Sequence, residues 1–471
     1  MVSGAQLRYP DVGMHWSFAH SGLVIACVSF GFFHSEDSCA DGPFVFAAPT
    51  TIIFETPHFP AMVAVGDLDG DGDKDLVVPG RNSDGFAYIV LNQGGGTFGT
   101  PIQLELGSQS DWVEISDIDD DGSLDLVFAL RSFQGRAQIL WGIGDGTFEK
   151  EITELKLRRE PRCLAVVDLN ANGQKDIAVV NYGSSEVQLI FNQGQRSFGE
   201  DVYVSIGHEE VGSTSLQEIA AGDLDGDGDH DLAMISIASS KVYFMRNRGD
   251  GTFEQPVGWS APSINKERGG VTSLALADID GDNDLDATMP LLFIGTYSQF
   301  GVLRNDGNMG VSRKDSYPAT NEGYAYSLGL GDFDGDGDLD PVVGCAVPGP
   351  LHVLDNRSQP TGDGEDGSLV FEDPQRIWNE SFIRDVVAAD IDGDCDEDVI
   401  AVDLVANSII VLFNFTPQAN GCGGPPGFTA VEPVEMPKAV GAPPKLIDVD
   451  KDGDIDGADL AVTLSNIGGA R

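Results

Sequence analysis

"GDLDGDGDKDLVV", residues 66–78, carries aspartate at Asp67, Asp69, Asp71, Asp73 and Asp75 and then runs straight into an apolar strand. Nearly the same string returns as "GDLDGDGDHDLAM" at 222–234 and "GDFDGDGDLDPVV" at 331–343. Aligning every such turn on its first aspartate gives Asp67, Asp117, Asp168, Asp223, Asp278, Asp332 and Asp390, with spacings of 50, 51, 55, 55, 54 and 58 residues. Self-similarity at a nearly constant period of this size marks a solenoid, a propeller or an array.

The units share one plan. An alternating apolar stretch ("MVAV", "SLAL") leads into the acidic turn. A second strand follows ("DLVV", "DLVF", "DIAV", "DLAM", "DVIA"), then a third ("AYIVLN", "AQILWG", "VQLIFN", "KVYFMRN", "SIIVLFN"). A glycine turn and a segment around a phenylalanine close the unit, as in "GGGTFGTPIQL" and "GDGTFEQPV". Short strands of period two with glycine turns and no helical periodicity predict four-stranded antiparallel units. Seven of them close into an all-β, seven-bladed β-propeller, which leaves no long exposed edge. The last unit lacks its phenylalanine strand, while the chain opens with "TTIIFETPHF". Residues 50–58 are therefore expected to supply the outer strand of the last blade, with Phe54 in the register of Phe98 and Phe253.

In the first turn, oxygen donors sit at positions 1, 3, 5 and 9 (Asp67, Asp69, Asp71, Asp75), a glycine at position 6 (Gly72), and the carbonyl of Asp73 at position 7. This is the first part of a calcium loop of the EF-hand type. Without a cation, four carboxylates so close would repel one another strongly. The corresponding sets are Asp117, Asp119, Asp121, Ser123 and Asp125; Asp168, Asn170, Asn172, Gln174 and Asp176; and Asp223, Asp225, Asp227, Asp229 and Asp231. The later blades give Asp278, Asp280, Asp282, Asp284 and Asp286; Asp332, Asp334, Asp336, Asp338 and Asp340; and Asp390, Asp392, Asp394, Asp396 and Asp398. Position 12, an acid in an EF-hand, is apolar in all seven (Val78, Phe128, Val179, Met234, Met289, Val343, Ala401), as a strand entering a core requires. These read as strand-loop-strand calcium sites. The third keeps only two carboxylates, which weakens it, and the fifth and seventh place Asn283 and Cys395 at the glycine position.

The unit, from "NxGdGtF" to "GDxDGDGDxDLvv", resembles the FG-GAP/VCBS repeat of integrin alpha-subunit propellers and many secreted bacterial proteins. The resemblance covers residues 47–418 and implies a seven-bladed propeller with up to seven Ca2+ ions in loops between the first and second strands. It does not imply one activity, because such propellers bind proteins or glycans and only some accompany enzymes.

Beyond Asn414 the texture changes. Residues 419–445 are rich in proline and glycine and read as a linker. In "IDVDKDGDIDGADLAVTLSNIGG", Asp448, Asp450, Asp452, Asp454 and Asp456 repeat the calcium pattern, and Asp459 supplies an acid at position 12. Leu460, Leu464 and Ile467 follow at helical spacing, so residues 446–471 read as a loop-helix segment with one further Ca2+. It resembles half of a dockerin, the module that docks onto cohesin domains, which normally has two such segments. At the other end, residues 1–40 read as an export signal, with Met14 as an alternative start, an apolar run over Ser21–Phe33 and small residues flanking Cys39. A rival reading takes "VIAC" as a lipoprotein box on Cys27. The apolar run is too short to span a bilayer. The mature protein is thus expected to be secreted or held at the cell surface.

Seventy-six acidic against 27 basic residues leave a formal charge of -49, which excludes nucleic acid as a partner because the phosphate backbone demands a cationic footprint. Six scattered cysteines form no CxxC pair. "RGD" at Arg248–Asp250 lies where other units have a glycine turn, and the GxGxxG of Gly94, Gly96 and Gly99 leads into a strand rather than a helix. No HExxH or GxSxG motif is present, and no catalytic residue is assigned. The expected function is a calcium-binding recognition or scaffold module for an extracellular protein or glycan, with a tail that docks to a cohesin-like partner. The alternative is a polysaccharide lyase or hydrolase, whose mark would be basic and acidic groups converging on one end of the central channel, with Arg131, Arg136 and Arg162 as candidates.

Overall fold

The second strand of every unit is buried on both faces, which is why these segments read as unbroken apolar runs. The computed structural model describes residues 44–416, apart from 57, 133, 183–185, 207–214, 265–266, 269, 293–297, 321–322, 347–348, 359–368 and 380–381. They form an all-β, seven-bladed propeller of antiparallel, essentially four-stranded sheets. No helix occurs among the described residues. The expected export signal (1–40), linker (419–445) and dockerin-like loop-helix (446–471, with Asp448 to Asp459) lie outside them.

Blade 1 comprises Ala64–Gly66, Asp75–Pro79, Phe86–Val90 and Ile102–Glu105. Blade 2 comprises Ser110–Ser116, Asp125–Leu130, Arg136–Gly142 and Phe148–Lys156, and blade 3 Pro161–Val167, Asp176–Asn181, Glu186–Ile190 and Val202–Ser205. Blade 4 is Leu216–Gly222, Asp231–Ser236, Lys241–Met245 and Val257–Ser260. In blade 5 the inner strand is broken into Gly270–Val271 and Ala275–Ala277, both paired with Asp286–Leu292, followed by Ser298–Asn305 and Val311–Thr320. Blade 6 is Tyr324–Gly331, Asp340–Ala346, Pro350–Val353 and Gln375–Asn379.

Blade 7 combines both ends of the ring. Ile383–Ala389, Asp398–Asp403 and Ser408–Leu412 accept Thr50–Ile53 as the outer strand, with Thr50 opposite Val411 and Ile53 opposite Ser408. The expected register is corrected here. Phe98 and Phe253 bridge to Asn92 and Asn247, and the residue doing the same in blade 7 is Phe46, opposite Asn414. Phe54 lies eight residues further on and packs into the core between blades 7 and 1, stacked on Tyr88 with ring centroids 4.6 Å apart.

Seven apolar clusters fill the seven gaps between neighbouring blades. The cluster at the closing seam joins Ile52, Val411 and Ile400 of blade 7 to Leu76, Val78 and Tyr88 around blade 1. Burial on both faces of each sheet, at roughly 25 cal/mol per Å2 of apolar area, makes neighbouring blades mutually dependent.

Candidate metal centres and an axial charge cluster

Each acidic turn joins the first and second strands of its blade, and its own carboxylates fold it. In blade 1 the Asp67 carboxylate accepts from the Gly70 and Gly72 amides at 2.8 and 3.0 Å, while Asp75 accepts from the Leu68 amide at 2.8 Å. The same bonds recur in blade 4 through Asp223 and Asp231, in blade 6 through Asp332 and Asp340, and in blade 7 through Asp390 and Asp398. Position 6 has positive φ in every turn, including Asn283 (74°) and Cys395 (73°). Position 4 does too, even where it is Asp120 (60°) or Ala171 (55°), a constraint the sequence reading missed. A β-carbon in this region costs about 1 kcal/mol. Cys395→Gly is therefore expected to stabilise the protein by about that amount, and an unchanged or lower urea midpoint would contradict the strain.

The turns bring together the residues the sequence marked. Carboxylate oxygens of Asp67, Asp69 and Asp71 lie within 4.8 Å of one another, as do those of Asp117, Asp119 and Asp125, and of Asp223, Asp225 and Asp231. So do those of Asp278, Asp280 and Asp282, and of Asp332, Asp334 and Asp336. Blade 3 keeps Asp168 and Asp176 but fills positions 3 and 5 with Asn170 and Asn172. Its Gln174 donates to Asp120 of blade 2 at 2.6 Å.

Burial pushes the position-9 carboxyls of Asp75, Asp125, Asp176 and Asp231 up to about 6, against backbone N–H bonds that lower them. Asp286, Asp340 and Asp398 are deeper and rise to about 8. In blade 7, burial first and Asp394 second push Asp392 up to about 6 and Asp396 up to about 9. Buried oxygens Asp225 Oδ1, Asp280 Oδ1, Asp286 Oδ2, Asp392 Oδ1, Asp394 Oδ2 and Asp396 Oδ1 have no hydrogen-bond donor among the described residues. An all-oxygen donor set with orphaned buried carboxylate oxygens fits a hard divalent cation.

A second device links these turns into a ring. The asparagine ending the third strand gives its backbone N–H to the position-9 aspartate of its own blade and its side-chain amide to the position-2 carbonyl of the preceding blade. Asn92 holds Ile391, Asn192 holds Ile118, Asn247 holds Leu169, Asn305 holds Leu224, Asn356 holds Ile279 and Asn414 holds Phe333, at 2.6–3.1 Å. Blade 2 has Gly142 there, because a β-carbon would collide with the Leu124 carbonyl, and Gly146 N–H takes over the Leu68 carbonyl at 3.0 Å. The recurring "N" before each glycine turn was the available signal.

At the start of the inner strands, all seven blades contribute to a narrow axial pocket of about 40 Å3 that includes Asp111, Arg162, Glu218, Tyr326, Arg384 and Asp385. Burial alone would push the Asp111 carboxyl up, yet the guanidiniums of Arg81 (2.5 Å), Arg162 (3.2 Å) and Arg131 (3.8 Å) hold it well below the carboxylate range. Arg162 and Arg131 thus belong to this cluster, whereas Arg136 sits on a third strand and pairs with Glu154 at the surface. Further along the channel, a cavity of about 380 Å3 is lined by Trp112, Glu114, Glu218, His230 and apolar residues. Burial raises Glu114 to about 7, and burial together with Asp385 raises Glu218 to about 8.

The "RGD" forms a glycine turn, with Gly249 at φ 74°, Asp250 accepting from Thr252 and Arg248 paired with Glu254. No transmembrane-length apolar helix occurs among the described residues.

No curated protein sequence matches the chain significantly. Among solved structures, a catalytically inactive virginiamycin B lyase from Staphylococcus aureus with quinupristin superposes with a TM-score of 0.50 at 13% identity, covering 78% of this chain and 98% of that one. BBS1N in complex with ARL6DN, soaked with lead, gives 0.51 at 13% identity, covering 81% and 99%. Likeness at this identity speaks for the fold alone. The FG-GAP-like repeat family matches residues 117–179, 168–234 and 223–287, three consecutive passages each running from one acidic turn through the next. The protein is therefore a seven-bladed β-propeller whose residues 117–287 match FG-GAP-like repeats.

Proposed function

We propose that this protein is an exported, calcium-stabilised propeller that acts as a binding or scaffold module toward an extracellular protein or glycan, with its dockerin-like tail docking to a cohesin-like partner. The observation that carries the calcium part is the recurrence of converging carboxylates in blades 1, 2, 4, 5 and 6, together with buried carboxylate oxygens in the turns of blades 4, 5 and 7 that have no hydrogen-bond donor among the described residues. Asp67, Asp69, Asp71 and Asp75, with their counterparts in the other blades, would hold the ion, which supplies charge neutralisation and fixes the turn. The position-7 residues Asp73, Ser123, Gln174, Asp229, Asp284, Asp338 and Asp396 would add a carbonyl oxygen. A ring with seven repeated turns at one end and an axial charge cluster at the other presents rigid surfaces suited to recognition.

A glycan and polysaccharide array probed with the mature protein, with and without calcium, tests this reading. Calcium-dependent binding to a defined glycan supports it. A blank array moves the search to protein partners, beginning with a cohesin panel against the tail.

The axial cavity keeps a second reading in view, that of a polysaccharide lyase or hydrolase. Its 380 Å3 falls within the roughly 300–1,000 Å3 of small-molecule sites, and two carboxyls with raised pKa face it. The 40 Å3 pocket beyond is far too small for a sugar ring. Release of new sugar ends from a polysaccharide panel, abolished by Glu218→Gln, would establish the enzyme. No release from acidic or neutral substrates would remove it.

A further inference from the structure

The acidic turns differ in one respect that the repeat pattern conceals. In four of them a guanidinium already rests on the position-3 carboxylate. Arg196 meets Asp119 at 2.6 Å, Arg246 meets Asp225 at 2.5 Å, Arg304 meets Asp280 at 3.0 Å and Arg357 meets Asp334 at 3.1 Å. These are the turns of blades 2, 4, 5 and 6. Blade 3 lowers its charge differently, with Asn170 and Asn172. Only blades 1 and 7 carry four carboxylates at positions 1, 3, 5 and 9 with no ion pair among the described residues. Asp396 of blade 7 is 3% exposed, and its Oδ1, Asp392 Oδ1 and Asp394 Oδ2 are buried without a donor.

Blades 1 and 7 are also neighbours across the seam where the ring closes. Thr50–Ile53 zips onto Ser408–Leu412 there, and the Asn92 amide of blade 1 grips the Ile391 carbonyl inside the turn of blade 7. The glycine turn of blade 1 seats on the same place, since Gly96 (φ 67°) leaves no room for a β-carbon against the Phe413 ring and lies beside Asp392. The turn of blade 1, in contrast, is held from blade 2 by a backbone N–H in place of an asparagine amide.

Resting on the calcium reading above, we infer that the two turns that carry four carboxylates and no arginine, in blades 1 and 7, are the tight calcium sites and that calcium acts first as a clasp on the closing seam. The four arginines serve as fixed counter-cations that hold the turns of blades 2, 4, 5 and 6 together without metal and repel an incoming one. A divalent ion entering blade 1 or 7 neutralises four carboxylates that nothing else neutralises. In blades 2, 4, 5 and 6 it meets a turn whose charge is already reduced by one, and calcium loops tune affinity through ligand charge. Each arginine also fixes its carboxylate from outside, so these turns remain ordered when empty.

The test is hydrogen exchange resolved by peptide on the full chain, stripped with chelator and titrated with CaCl2. Slowed exchange is expected first in peptides covering 67–79, 390–412 and 50–53. Peptides covering 223–236 and 332–346 should follow at calcium concentrations higher by at least about tenfold. Arg246→Gln and Arg357→Gln, both at half-exposed arginines, should move the peptides of blades 4 and 6 down to the concentration of the seam, and Asp392→Asn should delay protection of 50–53. Simultaneous protection of all turns, or protection of blades 4 and 6 first, overturns the clasp while leaving calcium binding intact. No calcium-dependent protection anywhere overturns the calcium reading and the clasp with it.

Discussion

Chelation lowers the melting temperature of the propeller by roughly 5–10 °C, and readdition of calcium restores it. Two sites held at 100 times their dissociation constant contribute about 5 kcal/mol between them, and a domain of this size shifts by roughly 1–2 °C per kcal/mol. The pH dependence reverses with the metal. In the metal-free protein, burial holds Asp286, Asp340 and Asp398 at about 8, above their value in the unfolded chain. A carboxyl raised in this way gives the fold stability that is complete below the unfolded value and is lost as pH rises through the folded one. The metal-free protein should therefore melt higher at pH 6.5 than at pH 8. The buried His58 and His352, lowered by desolvation to about 4 and 3, oppose this only below their unfolded value of 6.5. In excess calcium the order inverts, because protons compete with the cation for the same oxygens. Scanning calorimetry at both pH values, with and without chelator, measures all four cases. A melting temperature indifferent to chelator would leave the acidic turns without a physical explanation.

The second large effect sits at the other end of the channel. Asp111→Ala leaves Arg81, Arg131 and Arg162 facing one another, with the Arg162 side chain only 1% exposed. Breaking a buried ion pair from one side costs about 3–5 kcal/mol because the remaining charge stays buried. Asp111→Asn should cost nearly as much, since it keeps the shape and removes the charge. Urea midpoints of the two variants decide the matter, and a loss below about 1 kcal/mol in both would mean that the three arginines find other partners. The depressed Asp111 carboxyl stays ionised throughout the pH window used above, so this contribution does not disturb the calcium comparison.

The architecture was legible because the acidic turns are spaced almost evenly and carry their own punctuation. What was misread follows from physics that a repeat pattern does not encode. Phe44, Phe46 and Phe54 crowd the start of the propeller, and only the pairing with blade 7 shows that Phe46 plays the part of Phe98. The positive φ at position 4 was hidden because the backbone of Asp120 and Ala171 tolerates it without glycine. The asparagine latches were visible as letters but not as bonds, since their acceptors lie in another blade, as with Asn247 and Leu169. Among the arginines, Arg131 and Arg162 stood out as channel candidates, but their shared partner Asp111 did not, and Arg81 and Arg304 escaped notice. Arg81, Arg131 and Arg162 converge on one aspartate from three consecutive blades, and Arg304 reaches Asp280 within its own blade, relations set by strand pairing and blade packing that a repeat pattern does not encode.

That closure sets a schedule for synthesis. Thr50–Ile53 leaves the ribosome first among the blade strands, and its partner Ser408–Leu412 leaves last. For almost the whole of elongation the chain carries an unpaired hydrophobic strand at its front and a growing open edge behind. Such edges pair promiscuously, and long-range closure is slow to form. A product released before residue 412 has no way to bury Ile52 in its native seam, however well its finished blades have folded. The ring thus works as a built-in completeness check, in which only a chain translated through its last strand can hide its first.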